Sequence, residues 1–175
     1  MFPQTFKEFK MRLVQEEDAS FILELRSDIL LSKYLNPISK NLQDQKNWIK
    51  SYKAREQLGT EFYFVYESIE GEKFGLNRLY NMASDTFELG SWIFKRGIPA
   101  NLAIKADLVA RDYAFNKLGF KKCVFEVRKK NKSVIRYHKL FGAQIIREDD
   151  INYYFELHYQ SYLFNKLKIF KRFNY

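Results

Sequence analysis

Cysteine occurs once, at Cys123, and histidine twice, at His138 and His158. One thiol rules out a disulfide within the chain, and so few sulfur and imidazole ligands leave no protein-built zinc site to expect. Proline is limited to three residues and glycine to seven, and neither gathers into a low-complexity linker. No apolar run approaches the roughly 18–20 residues of a membrane span. The opening residues, MFPQTFKEFKMRL, carry neither the apolar core nor the small-residue cleavage site of a secretory signal. A cytoplasmic, metal-free protein is therefore expected. Acidic residues also run short, but only towards the end of the chain. Residues 1–120 hold 17 basic and 16 acidic side chains, whereas residues 121–175 hold 13 basic and only 5 acidic ones.

What remains is a globular composition. The 175 residues are 46% hydrophobic and 18% aromatic, enough for one domain with a substantial core. The net charge of +9 falls almost wholly in the last third, and a field that lopsided concentrates anions near one face. A phosphorylated cofactor, nucleic acid or an anionic membrane would answer to it, as would a plain solvated surface.

Hydrophobic patterning gives alternating elements. Residues 10–15 read as a strand, and Asp18 precedes a helical stripe of Phe21, Ile22 and Leu25. Residues 41–57 form a second helix with Trp48, Ile49 and Tyr52. EFYFVYES (61–68) and KFGLNRLY (73–80) are strand-like around a turn at Gly71. Then come a strand and helix over 87–115, a strand at 121–127, a helix at 131–141 and two final strands. The order β-α-α-β-β-β-α-β-α-β-β predicts one mixed α/β sheet covered by helices. The domain is drawn at 1–159, followed by a basic amphipathic tail, 160–175.

The stretch ELGSWIFKRGIPANLAIKADLVARDYAF, Glu88 to Phe115, runs from a hydrophobic strand through a tight loop into a helix. Leu102, Ala106, Val109 and Tyr113 recur at helical spacing and should pack on the sheet. The first amides of such a helix have no intrahelical acceptor, so strand, loop and helix dipole aim donors at one point suited to phosphate. Pro99 fits the first turn, where its missing N–H costs little. Downstream, FEVRKKNKSVIRYHKLFGAQ places Asn131 as a helix cap and Gly142 as a left-handed stop.

Together these two segments resemble the GNAT superfamily of acetyl-CoA-dependent N-acetyltransferases, over roughly residues 10–158. The resemblance implies a mostly antiparallel mixed sheet of about seven strands flanked by about four helices. It implies that the backbone of Trp92, Ile93 and Phe94 holds the pantetheine arm of acetyl-CoA. The loop through Arg96, Gly97, Ala100, Asn101 and Leu102 would receive the pyrophosphate, with Asn131 near the cofactor. His138 stands where the family often carries a tyrosine that protonates the departing thiolate. It also shares a helical stripe with Val134 and Phe141, so a core histidine is the alternative. The family loop, Q/R-x-x-G-x-G/A, has small residues where this chain has Pro99 and Asn101, and Pro99 supplies no N–H. Glu88, four residues before Trp92 and so expected on the same sheet face, is the candidate base, with a structural carboxylate as the alternative. Tyr80 is a weaker candidate.

The segment DILLSKYLNPISKNLQDQKNWIKSYK, paired with GSWI, resembles the branch that acetylates nucleotide-linked amino-deoxysugars for surface polysaccharide or flagellin glycosylation. That implies a small-molecule amine acceptor, with Tyr34 and Trp48 able to stack on a base or sugar, although core packing is the first expectation for each. The alternatives are acetylation of a protein N-terminus and a non-catalytic binding protein held at an anionic surface. The basic final third carries no nucleic-acid-binding motif, so no nucleic-acid partner is expected. In the tail, Leu163, Leu167 and Phe170 line one side of a helix that carries Lys166, Lys168, Lys171 and Arg172. That pattern suits docking on the domain or on a second subunit first, and a membrane surface after that.

Overall fold

The structure is a computed structural model that describes residues 2–173, with side chains as far as Ile169. Its strands are β1 (Gln4–Thr5), β2 (Lys10–Leu13), β3 (Phe62–Glu67), β4 (Lys73–Ala83), β5 (Thr86–Phe94), β6 (Lys122–Arg128), β7 (Gln144–Glu148) and β8 (Asn152–His158). The helices are α1 (Ala19–Ser27), α2 (Leu42–Gln57), α3 (Ala100–Asp112), α4 (Lys132–Leu140) and α5 (Tyr159–Phe173). Strand order is β1-β2-β3-β4-β5-β6-β8-β7. The pairs β1/β2, β2/β3, β3/β4, β6/β8 and β7/β8 are antiparallel, while β5/β6 is parallel. The expected mixed, mostly antiparallel sheet is present, with one strand and one helix beyond the number anticipated. No helix among the described residues is long and apolar enough to cross a membrane.

The chain divides into two compact units, and β5 contributes to both. One unit comprises the residues up to Asn81 together with Leu89–Tyr113. The other comprises Met82–Glu88 and the residues from Ala114 on.

In the first unit, β3 reads FYFVYE without polar alternation because both of its faces are covered. One face packs Tyr63 and Val65 with Leu76 of β4, Ile93 of β5, and Ile22, Leu25, Ile49 and Tyr52 of α1 and α2. The other meets α3: the Tyr66 hydroxyl donates to the Ala106 carbonyl at 2.8 Å, and the rings of Phe62 and Phe64 lie 5.4 and 5.9 Å from Tyr113. Asn41 caps α2, accepting from the amides of Gln43 and Asp44 at 2.7 and 3.2 Å. Asp18 precedes α1 as the sequence suggests, but its carboxylate does not cap the helix. It is fully buried, and takes two bonds from Arg12 (2.7 and 2.9 Å), one from Lys73 (2.5 Å) and one from the Gln15 amide (2.8 Å).

Burial raises the Asp18 carboxyl, but Arg12, Lys73 and the Gln15 amide outweigh it and hold it below the ordinary carboxylate range. A depressed folded-state pKa contributes stability above the unfolded value of about 3.9, and that contribution is lost as pH falls through the folded value. Urea midpoints measured from pH 6 down to pH 2.5 should therefore fall steeply below about pH 4 in the native chain. In Asp18→Asn the same series should start lower and run flatter. Parallel curves would show that Asp18 contributes nothing to acid sensitivity.

In the second unit, β6 and β8 pair from Lys122↔His158 to Arg128↔Asn152. The buried side of β6 carries Cys123, Phe125 and Val127. Helix α4 packs through Ile135 and His138, and Phe141 follows just after it. The tail forms α5 and docks here. Tyr162 is fully buried, its ring 5.2 Å from Phe115 and 6.0 Å from Phe141, and Asn165 Nδ2 donates to the Phe141 carbonyl at 3.3 Å. Gly142 (φ +88°) sits beneath α5, where a Cβ would come within 2.8 Å of Asn165 Nδ2 and 3.2 Å of Ser161. The outer face of α5 shows Leu163, Phe164 and Leu167. The side chains of Phe170, Lys171 and Arg172, part of the amphipathic pattern, lie outside those described.

Candidate active site

The strand-to-helix junction belongs to the first unit, and its geometry turns on Ser91. This residue has φ +52°, a left-handed conformation uncommon for a side chain that is not glycine. It resets the alternation of β5. Ser91 faces α1, where its hydroxyl accepts from Arg26 Nη1 at 3.4 Å. Ile93 joins the α1/α2 core, whereas Trp92 points to α3, its Nε1 donating to the Ala103 carbonyl at 3.3 Å. On the other side of the break, a Cβ on Gly90 would meet the Tyr80 hydroxyl at 2.9 Å, so positions 90 and 91 both turn towards β4's α1/α2 side. Glu88 shares the side of Gly90, not that of Trp92. The expectation that Glu88 and Trp92 share a face is thus corrected: the count of four assumes strict alternation, and the left-handed residue breaks it.

Phe94 folds back over Gly75, whose missing side chain makes room for the ring. The Lys95 amide still bonds to the Phe74 carbonyl at 2.8 Å, so the loop proper begins at Arg96. The basic residues at this junction have partners. Arg96 Nη2 lies 2.7 Å from Asp28 Oδ1, and Lys95 Nζ lies 3.6 Å from Glu24. Gly97 takes φ +82° with open space around its Cβ position. Pro99 is the N-cap of α3 and not part of its first turn, as the sequence suggested. Its carbonyl accepts from Leu102 and Ala103 at 2.9 and 3.3 Å. The amides of Ala100 and Asn101 lie ahead of the first helical bonds, at the positive end of a 13-residue helix with no acid in its first turn. That combination fits a phosphate group.

The packed face of α3 differs from the expected stripe. Ala106 is buried, but Leu102, Val109 and Tyr113 are half-buried, while Asp107, Leu108, Ala110 and Arg111 are buried instead. Two charged residues occupy core positions because they neutralise each other at i and i+4, Arg111 Nε to Asp107 Oδ2 at 2.7 Å.

The second unit holds the remaining candidates. Asn131 caps α4, its Oδ1 accepting from the Val134 amide at 3.5 Å and the Ser133 hydroxyl at 3.2 Å. His138 is 5% exposed, with its ring 4.1 Å from Phe125 and 6.3 Å from Phe155. This placement supports a packing histidine over a proton donor. In the parallel ladder Glu88 pairs with Val124, and among the described residues that ladder extends no further.

Sequence reasoning named Tyr80 and Trp48 singly but missed the cluster they share on the first unit. Arg26, Tyr63, Arg78, Tyr80 and Trp48 gather near Ser91. The Arg78 guanidinium lies 4.5 Å from the Tyr80 ring and 5.0 Å from that of Trp48, and its Nε meets Glu61 at 2.6 Å. Burial pushes the Tyr63 hydroxyl up to about 12, while the charges of Arg26 and Arg78 and a bond to Ser91 oppose it.

The sequence matches the family described as Acetyltransferase (GNAT) domain over residues 9–144. The chain belongs to the GNAT family. As a GNAT enzyme it is an acyl-CoA-dependent N-acetyltransferase. No curated protein matches the chain. Among solved structures it is similar to apo FdhC, described as a nucleotide-linked sugar GNAT, with 34% identity over 96% of each chain and a TM-score of 0.85. It also shares its fold with the ribosomal-protein-S5-alanine acetyltransferase of Vibrio fischeri, at 14% identity over 90% of this chain and 97% of that one, TM-score 0.78. Spermidine N-acetyltransferase of Vibrio cholerae, in complex with CoA and spermine, has 17% identity over 90% and 99% of the chains, TM-score 0.76. Among the described residues no group of three or more metal-binding side chains is present.

Proposed function

We propose that this GNAT enzyme transfers acetyl from acetyl-CoA to a primary amine on a nucleotide-linked amino-deoxysugar. The observation that carries the reading is the 34% identity to FdhC along 96% of both chains. The matched ribosomal-protein and spermidine enzymes stand at 14% and 17%, and support the fold alone.

The cosubstrate would lie along Trp92, Ile93 and Phe94, with its pyrophosphate at Arg96, Gly97 and the amides of Ala100, Asn101 and Leu102, and with Asn131 near it. The neutral amine attacks the thioester carbonyl, the new C–N bond forms as the C–S bond breaks, and the amine's proton passes to Glu88. The departing sulfur leaves as thiolate and takes its proton from water. His138 is not needed as an acid in this account.

Glu88→Gln is expected to lower kcat about 10²- to 10⁴-fold, the usual contribution of a positioned base, with little change in the KM for acetyl-CoA. His138→Phe should keep kcat within a few-fold. A reversal, with His138→Phe inactive and Glu88→Gln active, would exchange their roles. The acceptor is tested by following thiol release from acetyl-CoA with UDP- and dTDP-linked amino-deoxysugars, spermidine and peptides with free N-termini. Preference for nucleotide-linked sugars is expected, and turnover of peptides or spermidine in their place would overturn the assignment.

A further inference from the structure

The first unit treats its arginines uniformly, with one exception. Arg12, Arg55, Arg78, Arg96 and Arg111 each place a nitrogen within 2.6–2.7 Å of a carboxylate. Arg26 does not: among the described residues no carboxylate comes within 4.0 Å of its guanidinium. Its Nη2 donates to the Asn36 carbonyl at 2.5 Å, and its Nη1 reaches the Ser91 hydroxyl only at 3.4 Å. Its Nε is buried and has no hydrogen-bond partner among the described residues.

This arrangement carries a cost, because the buried Nε donor is left unmade and the half-buried guanidinium has no counter-charge. Position at the C-terminal turn of α1 offsets part of it through the helix dipole, and the Asn36 carbonyl satisfies one N–H. Neither accounts for Nε or for the missing anion. Burial holds the guanidinium below its ordinary pKa range. The hydroxyls of Tyr63 and Tyr80 act against that shift, while the charge of Arg78 adds to it. The side chain contacts Ser91, the residue just before the strand segment assigned to the cosubstrate. Its surroundings include the hydroxyls of Tyr63 and Tyr80, which suit a polar ligand.

We propose that Arg26 binds the diphosphate of the acceptor, supplying the fork of donors that the fold leaves without an anion. The inference rests on the nucleotide-linked acceptor assigned above. Arginine suits the task because its planar guanidinium matches phosphate oxygens in a two-point contact. Arg26 is thereby a specificity residue: it selects acceptors that carry phosphate, and no chemical step passes through it.

The test uses the full chain with Arg26→Met and Arg26→Lys. Calorimetry with UDP and with dTDP gives Kd, steady-state kinetics with the nucleotide-linked amino sugar that is turned over gives KM and kcat, and thermal unfolding gives Tm. For Arg26→Met, Kd and acceptor KM should each rise roughly 10- to 100-fold, the size of a lost hydrogen bond to a charged group. The KM for acetyl-CoA should move far less. Tm should stay nearly level, because the half-buried guanidinium makes no ion pair whose loss would strand a partner. Arg26→Lys, which keeps the charge but not the fork, should fall between. If Arg26→Met does not fold, Arg26→Lys decides by the same shift in Kd.

An unchanged Kd would overturn the role of Arg26 and leave the acceptor assignment standing. So would a fall in Tm with acceptor and acetyl-CoA affinities weakened alike, which would mark a purely structural anchor for Asn36. If the native chain binds neither diphosphate and turns over no nucleotide-linked sugar, the acceptor assignment itself fails and takes this one with it.

Discussion

Replacing Asp107 with alanine should cost about 3–5 kcal/mol of folding stability, the usual penalty for stranding one member of a buried ion pair. Asp107 and Arg111 are both fully buried, with Nε and Oδ2 at 2.7 Å, and Asn77 Nδ2 donates to the other carboxylate oxygen at 3.3 Å. Alanine removes the anion and leaves the guanidinium in a space that water does not reach. Arg111 cannot escape by losing its proton, since arginine stays charged in proteins. Urea unfolding followed by fluorescence gives the number directly. The double change Asp107→Leu with Arg111→Met should recover most or all of the loss, because well-packed apolar residues replace such pairs at little cost. A single-variant loss below about 1 kcal/mol would mean that the pair is solvated or replaceable, contrary to its burial.

The second large effect is expected at Gly75→Ala. A Cβ there would fall 2.1 Å from Cδ1 and Cε1 of Phe94. The ring has little freedom to withdraw: its centroid lies 5.8 Å from Tyr66, 6.1 Å from Phe74 and 6.2 Å from Trp92. Overpacking of this kind typically costs about 1–3 kcal/mol and occasionally more, and the upper end is expected here. Because Phe94 belongs to the strand assigned to the cosubstrate, acetyl-CoA affinity should drop together with stability. Adding Phe94→Leu to Gly75→Ala should restore stability more than independent effects allow, the signature of residues in contact. Additive losses would show that the backbone, and not the ring, absorbs the strain.

Much of this protein is legible from sequence where local chemistry and tertiary structure agree. The apolar run of β3 announces a strand covered on both faces. Asn131 and Gly142 bracket α4 because a cap needs a short side-chain acceptor and a left-handed stop favours glycine. Other features carry no such mark. Serine gives no hint of the φ +52° at Ser91, so counting by twos placed Glu88 with Trp92. Helical periodicity misjudged α3 because it scores Asp107 and Arg111 as surface residues, although their mutual pairing lets both enter the core. Arg26 reads as an ordinary helix-end cation. Its interest lies in lacking a carboxylate, which only the positions of every neighbour can show. His138 fell on a recognisable spot in the pattern, yet its burial against Phe125 depends on how α4 folds back over β6, which residue spacing does not state.

The docking of α5 has a practical side for anyone handling the gene. Composition suggests cutting the chain at residue 159, where the basic tail starts. A stop codon there would delete Tyr162 and strip the cover from Phe115, Phe141 and Gly142. The shortened product is expected to be insoluble on expression. A chimera that borrows its final helix from a relative must bring residues at positions 161 and 165 that leave room beside Gly142.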